Sequence, residues 1–491
     1  MAENTTEFKP TLGLFDATMV VAGSMIGSGI FIVSADITRN VGSAGWLIAV
    51  WLITGFMTLT AALSYGELSA MFPKAGGQYV YLKEAYNPLV GFLYGWSFFA
   101  VIQTATIAAV GVAFAKFGAY LFPIISEDNL LLAIQNGIDS CGKPTYSFTI
   151  SAAQVTSIFI IVLLTYINTQ GVKTGKLIQT LFTSAKLIAL FGLIIFGFIY
   201  GIDKGIFAEN WHHAWDANTM ALKNACDKAG GFTSSPIGGT VLLGAIAAAM
   251  VGSIFSSDAW NNVTFIAGEI KNPKRNIGLS LFLGTLIVTV IYVLTNLMYT
   301  SVLPLDKIAF VAKDRVAVDA SQVIFGTTGT VIIALLIMVS TFGCNNGLIL
   351  SGARVYYTMA KDKLFFKQVG ELNKNAVPQF ALWIQCAAAC AWSLSGKYGQ
   401  LLDMISFVAV MFYVLTIAGI FILRKKSPDA DRPYKAFGYP ILPAIYILMG
   451  LAFCILLIIY KPEYTWSGLL ITLAGIPIYY LIVKGRKGIA K

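Results

Sequence analysis

The sequence predicts an all-α polytopic membrane protein with twelve transmembrane helices. Of the 491 residues, 57% are hydrophobic and only 12% are charged, whereas soluble domains carry about 25% charged residues. Eleven long stretches contain no charged residue, and a twelfth contains only Lys186. Because about 20 apolar residues cross a bilayer, each stretch is assigned one helix. The predicted crossings are 17–35, 44–66, 89–115, 147–168, 177–202, 229–257, 277–305, 320–353, 376–396, 404–423, 436–460 and 464–483.

The distribution of basic residues predicts that both termini are cytoplasmic. With this topology, 21 of the 34 lysines and arginines fall in the termini and even-numbered loops, and 11 fall in the odd-numbered loops. An excess of basic residues marks the cytoplasmic side. Residues 1–11 are short and polar, so no cleaved signal peptide is expected. We therefore interpret the net charge of +10 as a sign of topology in a multi-pass cell (inner) membrane protein, not of nucleic acid binding.

Two runs of small and polar residues interrupt apolar segments and reveal a weak internal symmetry. The first segment contains GSMIGSG at 23–29, and the sixth contains GSIFSSDAW at 252–260. Because they are five helices apart, the two segments cross the membrane in opposite directions. Paired interruptions of this kind are typical of inverted-repeat transporters with broken helices. The chain is predicted to be one membrane transport domain, which has repeats at 12–202 (helices 1–5) and 229–424 (helices 6–10), followed by helices 11 and 12 at 436–484.

The run GSMIGSG has two interpretations. The spacing of Gly23 and Gly27 suits close helix packing. Together with the second break, however, an unwound backbone indicates a cavity, since bare backbone in a membrane must be buried in protein or line one. Amides at the start of a half-helix suit a carboxylate, and carbonyls at the end of the preceding one suit a cation. A zwitterionic amino acid matches both ends.

The second run contains an ionisable group and an aromatic ring. Asp258 lies deep in an apolar segment, where such groups are functional hypotheses by default. It could pair with a substrate ammonium group or hold the break by accepting local N–H bonds. Phe255, three residues earlier, could cover a ligand or be an ordinary core aromatic.

Three further polar positions fall within apolar segments. Lys186 lies near the middle of the fifth segment, so its ammonium group must point inward. There it could replace a bound cation or carry a proton. Asn345 and Asn346 in the eighth segment could line a polar cavity or hydrogen-bond across helices. Arg354 is expected at the cytoplasmic end of that segment, where snorkelling is sufficient.

The sequence predicts neither a metal site nor a cofactor. The only two histidines, His212 and His213, are adjacent and project in different directions. Four of the six cysteines lie in apolar segments and are interpreted as small core residues. Cys141 and Cys226 fall in two long outer loops, where a disulfide is possible if that side is oxidising. Two unpaired thiols are an equal alternative.

In these residues the chain resembles the amino acid–polyamine–organocation (APC) superfamily. It is most similar to the L-type exchanger branch and to bacterial serine/threonine and alanine–serine–cysteine exchangers. The resemblance covers most of the chain, from residue 16 through helix ten. It rests on DATMVVAGSMIGSGIF at 16–31, SYGELSAMFPKAGGQYVYLKEAY at 64–86, the Lys186 segment, WNNVTFIAGEIKNPKRNI at 260–277 and NGLILSGARVYYTMAKD at 346–362.

The resemblance implies the leucine-transporter fold, a five-plus-five inverted repeat with broken helices 1 and 6. It implies that the amides of Ser28 and Gly29 take the substrate carboxylate, and that carbonyls at Met25, Phe255 and Asp258 take the amine. The predicted substrate-binding residues are Met25, Ile26, Gly27, Ser28, Gly29, Phe255, Ser256, Asp258 and Asn346.

The resemblance also implies roles in gating and coupling. Phe255 matches the gating aromatic of the family. Lys186 matches the lysine that replaces the cation of sodium-coupled members, which implies sodium-independent transport. Some animal members join a heavy chain through an outer-loop cysteine, but the surroundings of Cys141 match poorly, so no accessory subunit is predicted.

The function predicted from the sequence is an alternating-access exchanger of neutral L-amino acids. Proton-coupled uptake is the runner-up mechanism, and cationic amino acids or polyamines are alternative substrates, because SSDAW departs from the glycine-rich break of large-neutral transporters. A receptor would normally carry a signalling domain, and both predicted tails are short. An intramembrane enzyme would need a nucleophile, an acid/base pair or a metal cluster, and none is visible.

Overall fold

The structure, a computed structural model, is built from eighteen α-helices and two β-hairpins. It describes residues 10–138, 141, 144–202, 204–223, 231–395 and 398–489. The helices are α1 Leu14–Met25, α2 Val33–Val41, α3 Ala44–Met71, α4 Gln78–Ala85, α5 Pro88–Ser97, α6 Gln103–Leu121, α7 Ala152–Thr169, α8 Val172–Gly201, α9 Ile206–His212, α10 Gly239–Ser256, α11 Asn262–Phe265, α12 Pro273–Val302, α13 Leu305–Ala309, α14 Val316–Lys361, α15 Gln379–Ser395, α16 Tyr398–Lys426, α17 Ile441–Tyr460 and α18 Pro462–Ile489.

Ten helical spans in the described part of the chain are long and apolar enough to cross a membrane, and they confirm a polytopic, mainly helical protein. They are Ala44–Met71, Pro88–Leu121, Ala152–Thr169, Leu181–Gly201, Gly239–Ser256, Pro273–Val302, Val316–Lys361, Leu401–Lys426, Ile441–Tyr460 and Thr465–Val483. The first predicted crossing is split into α1 and α2, and the ninth falls on α15, which has 17 residues. The number twelve therefore stays a prediction.

Two antiparallel hairpins lie only partly in the predicted loops: residues 147–151 and 232–236 are strands, although they fall within the predicted crossings 147–168 and 229–257. The helices there begin later, at Ala152 and Gly239, so the predicted starts of these two crossings were wrong. Strand β1 (Leu130–Ile138) pairs with β2 (Pro144–Ser151), and β3 (Asn218–Leu222) pairs with β4 (Phe232–Pro236). We call the side of the molecule that carries these hairpins the hairpin side. The opposite side, where Leu12 pairs with Ile270, is called the terminal side.

The helices adjoining the two breaks pack against each other in an inverted arrangement. α2 packs on α10, and α1 packs on α11, while α12 lies against α1 and α3. α14 packs on α6 and α8, so that it faces the first break from the other side. This packing places both interruptions at the centre of the bundle. The repeat boundaries themselves stay predictions.

Candidate functional site

The first helix is broken within the predicted run of small residues. α1 ends at Met25, and a single 3₁₀ turn over Gly29–Phe31 precedes α2. Ile26 has ψ of 85°, which is outside the helical range. Glycine and serine are weak helix formers, so this composition favours an interruption. The break leaves carbonyl groups at the end of α1 and N–H groups at the start of the next helical segment without helical partners.

The sixth predicted helix is broken in the same manner. α10 ends at Ser256, and α11 begins at Asn262. Between them Ala259 has φ of 62°, a left-handed conformation that side chains other than glycine rarely adopt. Such backbone strain clusters at functional sites. The SSDAW segment therefore forms a second region of backbone outside a regular helix.

The two breaks are in direct contact. A Cβ atom placed on Gly29 would lie 1.9 Å from Ser256 Oγ and 3.0 Å from Ser256 Cα, so only glycine fits there. The hydroxyl group of Tyr292 on α12 lies 2.9 Å from both Met25 O and Ser256 O, where it can donate to either carbonyl. Tyr292 was not predicted from the sequence, since a tyrosine in an apolar helix gives no signal of its partners. It ties the ends of α1 and α10 together.

A small cavity lies at this junction. Seven of the nine predicted substrate-binding residues line it, whereas Ile26 and Asn346 are not part of its lining. Thr106, Val110, Cys344 and Leu348 of α6 and α14 complete the wall, together with Ser24 and Ala259. The predicted lining residues are Met25, Gly27, Ser28, Gly29, Phe255, Ser256 and Asp258.

Lys186 is fully buried beside the first break. Its Nζ atom donates hydrogen bonds of 2.7 Å to Gly23 O and of 2.7 Å to Ile26 O. These carbonyls belong to the C-terminal end of α1, where the helix dipole is negative. The ammonium group therefore occupies a position that suits a cation, and Ile26 contacts Lys186 through its backbone.

Asp258 and Phe255 both line the small cavity. The Asp258 carboxylate accepts a hydrogen bond from the Tyr413 hydroxyl group and one from the backbone of Ala259. Phe255 is 7% exposed, and Val251, one helical turn before it, lines a much larger cavity on the hairpin side. The Phe255 ring is thus placed between the two cavities.

Asn345 and Asn346 of α14 are not among the residues that line the small cavity. Asn346 Oδ1 accepts a hydrogen bond of 2.9 Å from Asn168 Nδ2 on α7. The sequence offered two interpretations, a polar cavity lining and a hydrogen bond across helices, and this contact is the hydrogen bond across helices. A substrate contact by Asn346 stays a prediction that this geometry does not support.

Arg354 corrects one expectation. Its side chain is fully buried, and Nε donates a hydrogen bond of 3.0 Å to Glu269 Oε1, whose side chain is 3% exposed. Snorkelling to water was therefore the wrong prediction. The partner could not be predicted from the sequence, because Glu269 lies 85 residues away.

The cysteines divide as the sequence suggested. Cys344, Cys386, Cys390 and Cys454 are free thiols in helices. Cys141 is disulfide-bonded, but Cys226 lies outside the described residues, so their pairing stays a prediction. Across the described ranges, no group of three or more histidines, cysteines or acidic residues could hold a metal ion.

Two interrupted helices whose breaks share one cavity define the class of broken-helix membrane transporters. The chain matches the family model described as amino acid permease over residues 12–483 and belongs to that family. This membership confirms the predicted APC relationship and the broken-helix fold class.

Individual relatives are similar over nearly the whole chain. The human Large neutral amino acids transporter small subunit 2 is 28% identical over 474 residues, which are 96% of this chain and 80% of the relative. The b(0,+)-type amino acid transporter 1 of Mus musculus is 28% identical, with 99% and 91% covered. The Serine/threonine exchanger SteT of Bacillus subtilis is 29% identical, with 97% and 98% covered.

Proposed function

We propose that the protein is a secondary active transporter that exchanges neutral L-amino acids by alternating access and without sodium. The observation that carries this proposal is the position of Lys186 Nζ, which donates to Gly23 O and Ile26 O at the end of α1. A fixed ammonium group there supplies the positive charge that a bound cation would otherwise bring. The names of the relatives, which describe amino acid transporters and an exchanger, support the same assignment.

The two ends of a zwitterionic substrate find complementary groups in the cavity. The backbone N–H groups of Ser28 and Gly29, near the start of α2, suit the carboxylate. The carbonyls of Met25 and Phe255, near the ends of α1 and α10, suit the ammonium group. Phe255 is proposed to cover the substrate from the hairpin side, and the terminal side is proposed to be cytoplasmic.

Counterflow in proteoliposomes tests the mechanism. We expect labelled serine or alanine to enter vesicles that contain unlabelled amino acid, at equal rates with and without sodium, and to stay out of empty vesicles. The Lys186→Met variant should lose this flux, since the carbonyls at the break lose their cationic donor. Lys176→Met changes a lysine of the same helix, α8, ten positions away and is the matched control. Full flux in Lys186→Met would remove Lys186 from the mechanism.

Two alternatives give different outcomes in the same vesicles. If a pH gradient drives uptake into empty vesicles, the protein is a proton-coupled symporter, and Lys186 is the natural proton carrier. If arginine or a polyamine competes while neutral amino acids do not, Asp258 pairs with a cationic group, and the assignment to neutral substrates is wrong.

The remaining assignments are proposals of the same kind. We propose a multi-pass protein of the cell membrane, organised as one transport domain with helices 11 and 12 appended. Function without an accessory subunit is also proposed, and transport by the purified chain alone in proteoliposomes tests it.

A further inference from the structure

The first β-hairpin forms part of the wall of the large cavity on the hairpin side. Leu130 of β1 lines this cavity together with Tyr146 and Phe148 of β2. Both aromatic residues are 39% exposed, so a good part of each side chain is not packed against protein. Strand β1 is exposed along nearly its entire length. The hairpin therefore borders the cavity without being packed into the helical bundle.

A charged contact holds the hairpin at its base. Lys313, in the turn between α13 and α14, donates a hydrogen bond from Nζ to Asp128 Oδ2, two residues before β1. The same Nζ atom lies 3.6 Å from Glu127 Oε1. Because few buried contacts hold the strands, the hairpin can move as a unit about this base. A nine-residue strand spans about 30 Å, so a rotation of about 10° at the base moves its far end by about 5 Å.

The residue after Lys313 makes a connection in another direction. The Asp314 carboxylate accepts a hydrogen bond of 2.7 Å from Arg39 Nη1 on α2. The same Nη1 atom donates to Ala309 O of α13 at 2.7 Å. We call Lys313 and Asp314 the strap, because these two residues join α2 to the base of the hairpin.

The backbone of the strap has an uncommon conformation. Lys313 has φ of 56° and Asp314 has φ of 57°, and such left-handed values are uncommon for residues other than glycine. Strained backbone of this kind persists only where the surrounding structure over-determines it, and it clusters at switch regions. Here the two adjacent side chains bind partners on different elements. The strap is therefore a constrained connection, in which a displacement of one end is transmitted to the other.

α2 extends from the substrate site to the large cavity. The amides proposed to bind the substrate carboxylate, those of Ser28 and Gly29, lie directly before this helix. Further along α2, Val33, Asp36 and Arg39 all line the large cavity, as expected for residues at i, i+3 spacing on one helix face. A tilt of α2 therefore changes the wall of the large cavity and moves the strap.

We propose that the first β-hairpin is a lid for the large cavity and that the strap couples its closure to substrate binding. This inference rests on the proposed function, because the movement begins when a substrate carboxylate binds to the amides of Ser28 and Gly29. A carboxylate held there draws the start of α2 toward the substrate cavity.

The strap converts this tilt into closure of the lid. Arg39 moves with α2 and displaces Asp314, and Lys313 then turns the base of the hairpin through its contact with Asp128. The aromatic side chains of β2 move over the cavity and close the path from the hairpin side. Release of the substrate lets α2 return, and the cavity opens again.

Distances between two spin labels test the lid in proteoliposomes. Gln135→Cys places one label on the exposed strand β1, and Ser395→Cys places the other at the end of α15, which also lines the cavity. We expect saturating serine or alanine, whichever is exchanged, to shorten the mean distance between the labels by about 5 Å or more. An unchanged or longer distance would overturn the proposal. Protein without the added cysteines gives the background signal of the four free thiols.

Variants at both ends of the strap test the coupling. Lys313→Gln removes the contact with the hairpin base, and Arg39→Gln removes the contact with α2, so that each should abolish most of the shortening. Lys307→Gln changes an exposed lysine of α13 in the same connection and is the matched control. Wild-type shortening in either strap variant would show that the strap does not transmit the movement. Because both ion pairs are partly exposed, we expect the variants to fold, and melting temperatures check this.

The failure of each proposal has a separate signature. Absence of serine and alanine counterflow by the wild-type protein overturns the proposed function. Counterflow with a constant distance between the labels leaves that function intact and overturns the lid. Because the wild-type distance alone decides this point, the test of the lid does not depend on the folding of a strap variant.

Discussion

The terminal and hairpin sides of the molecule contain ion pairs of different kinds. On the terminal side, Arg354 and Glu269 form a pair that is 0% and 3% exposed. There Glu67, 1% exposed, also binds Arg424, 24% exposed, at 2.6 Å. On the hairpin side, Arg39 and Asp314 are 28% and 35% exposed. Breaking a buried pair costs about 3–5 kcal/mol, whereas an exposed pair contributes about 0–1 kcal/mol.

The cavities also differ between the hairpin side and the terminal side. The hairpin side contains a large cavity, whose lining includes the charged residues Asp36, Arg39, Asp403 and Lys461. On the terminal side, the N-terminal segment pairs with the chain beyond α11, where Lys271 N donates to Leu12 O at 2.8 Å. The conformation is therefore open toward the hairpins and firmly closed opposite them. We expect that opening the terminal side breaks the buried pair of Arg354 and Glu269.

The largest effect is expected from Arg354→Gln. Removing the guanidinium group leaves the Glu269 carboxylate buried without its charged partner, at a cost of about 3–5 kcal/mol. The melting temperature of the detergent-purified protein should fall clearly. A decrease no larger than that of Arg39→Gln on the hairpin side would contradict the distinction between the two sides.

A smaller effect is expected from Tyr292→Phe, which changes the junction between the sides. Met25 O and Ser256 O lose their common donor, and an unpaired buried group costs about 1–3 kcal/mol. Calorimetry should show weaker amino acid binding. Tyr299→Phe is the control, because its longer bond of 3.3 Å to Ile30 O lies beyond the cavity. Equal losses in both variants would argue against a special role for Tyr292.

On the hairpin side, Arg39→Gln should change the free energy of unfolding by no more than about 1 kcal/mol. The 2.7 Å pair with Asp314 is partly exposed, and its contribution should diminish further as salt is added. Melting curves at low and high salt measure both effects. A loss of several kcal/mol would mean that this pair, too, locks the conformation.

The smallest effect concerns Asp128 at the base of the first hairpin. The hydrogen bond from the Lys313 ammonium group holds the pKa of the Asp128 carboxyl below its ordinary value. Because the folded-state pKa is depressed, the contribution is present above about pH 4, the unfolded value, and is lost as the pH falls through the folded value. The side chain is 74% exposed, so the gain is below about 1 kcal/mol.

Melting temperatures of the wild type and Asp128→Asn from neutral to acidic pH check this sign. The wild type should be slightly more stable at pH 7, and the difference should vanish at low pH. A difference that grows on acidification would reverse the sign of the linkage.

The sequence contains enough information to locate both breaks, because glycine, serine and aspartate in an apolar segment signal an interruption locally. It also placed Lys186 near the first break. The contacts of Tyr292 and Arg354 could not be predicted in the same manner, since they join residues far apart in the chain. The hairpins were missed because exposed strands such as β1 and β4 have no buried face that imposes a pattern on the sequence. In addition, residues 147–151 and 232–236 carry no charge and were therefore assigned to the adjoining crossings.

The contact between Gly29 and Ser256 has a mechanical consequence. With a hydrogen atom as the only side chain at residue 29, the backbones of the two breaks touch, so neither half-helix can tilt toward the cavity without displacing the other. A substrate that binds at one break therefore also affects the position of the other. A substitution such as Gly29→Ala would preserve the polarity of the site but would push the two broken segments apart. Ligand binding would then be separated from the movement that carries the ligand across the membrane.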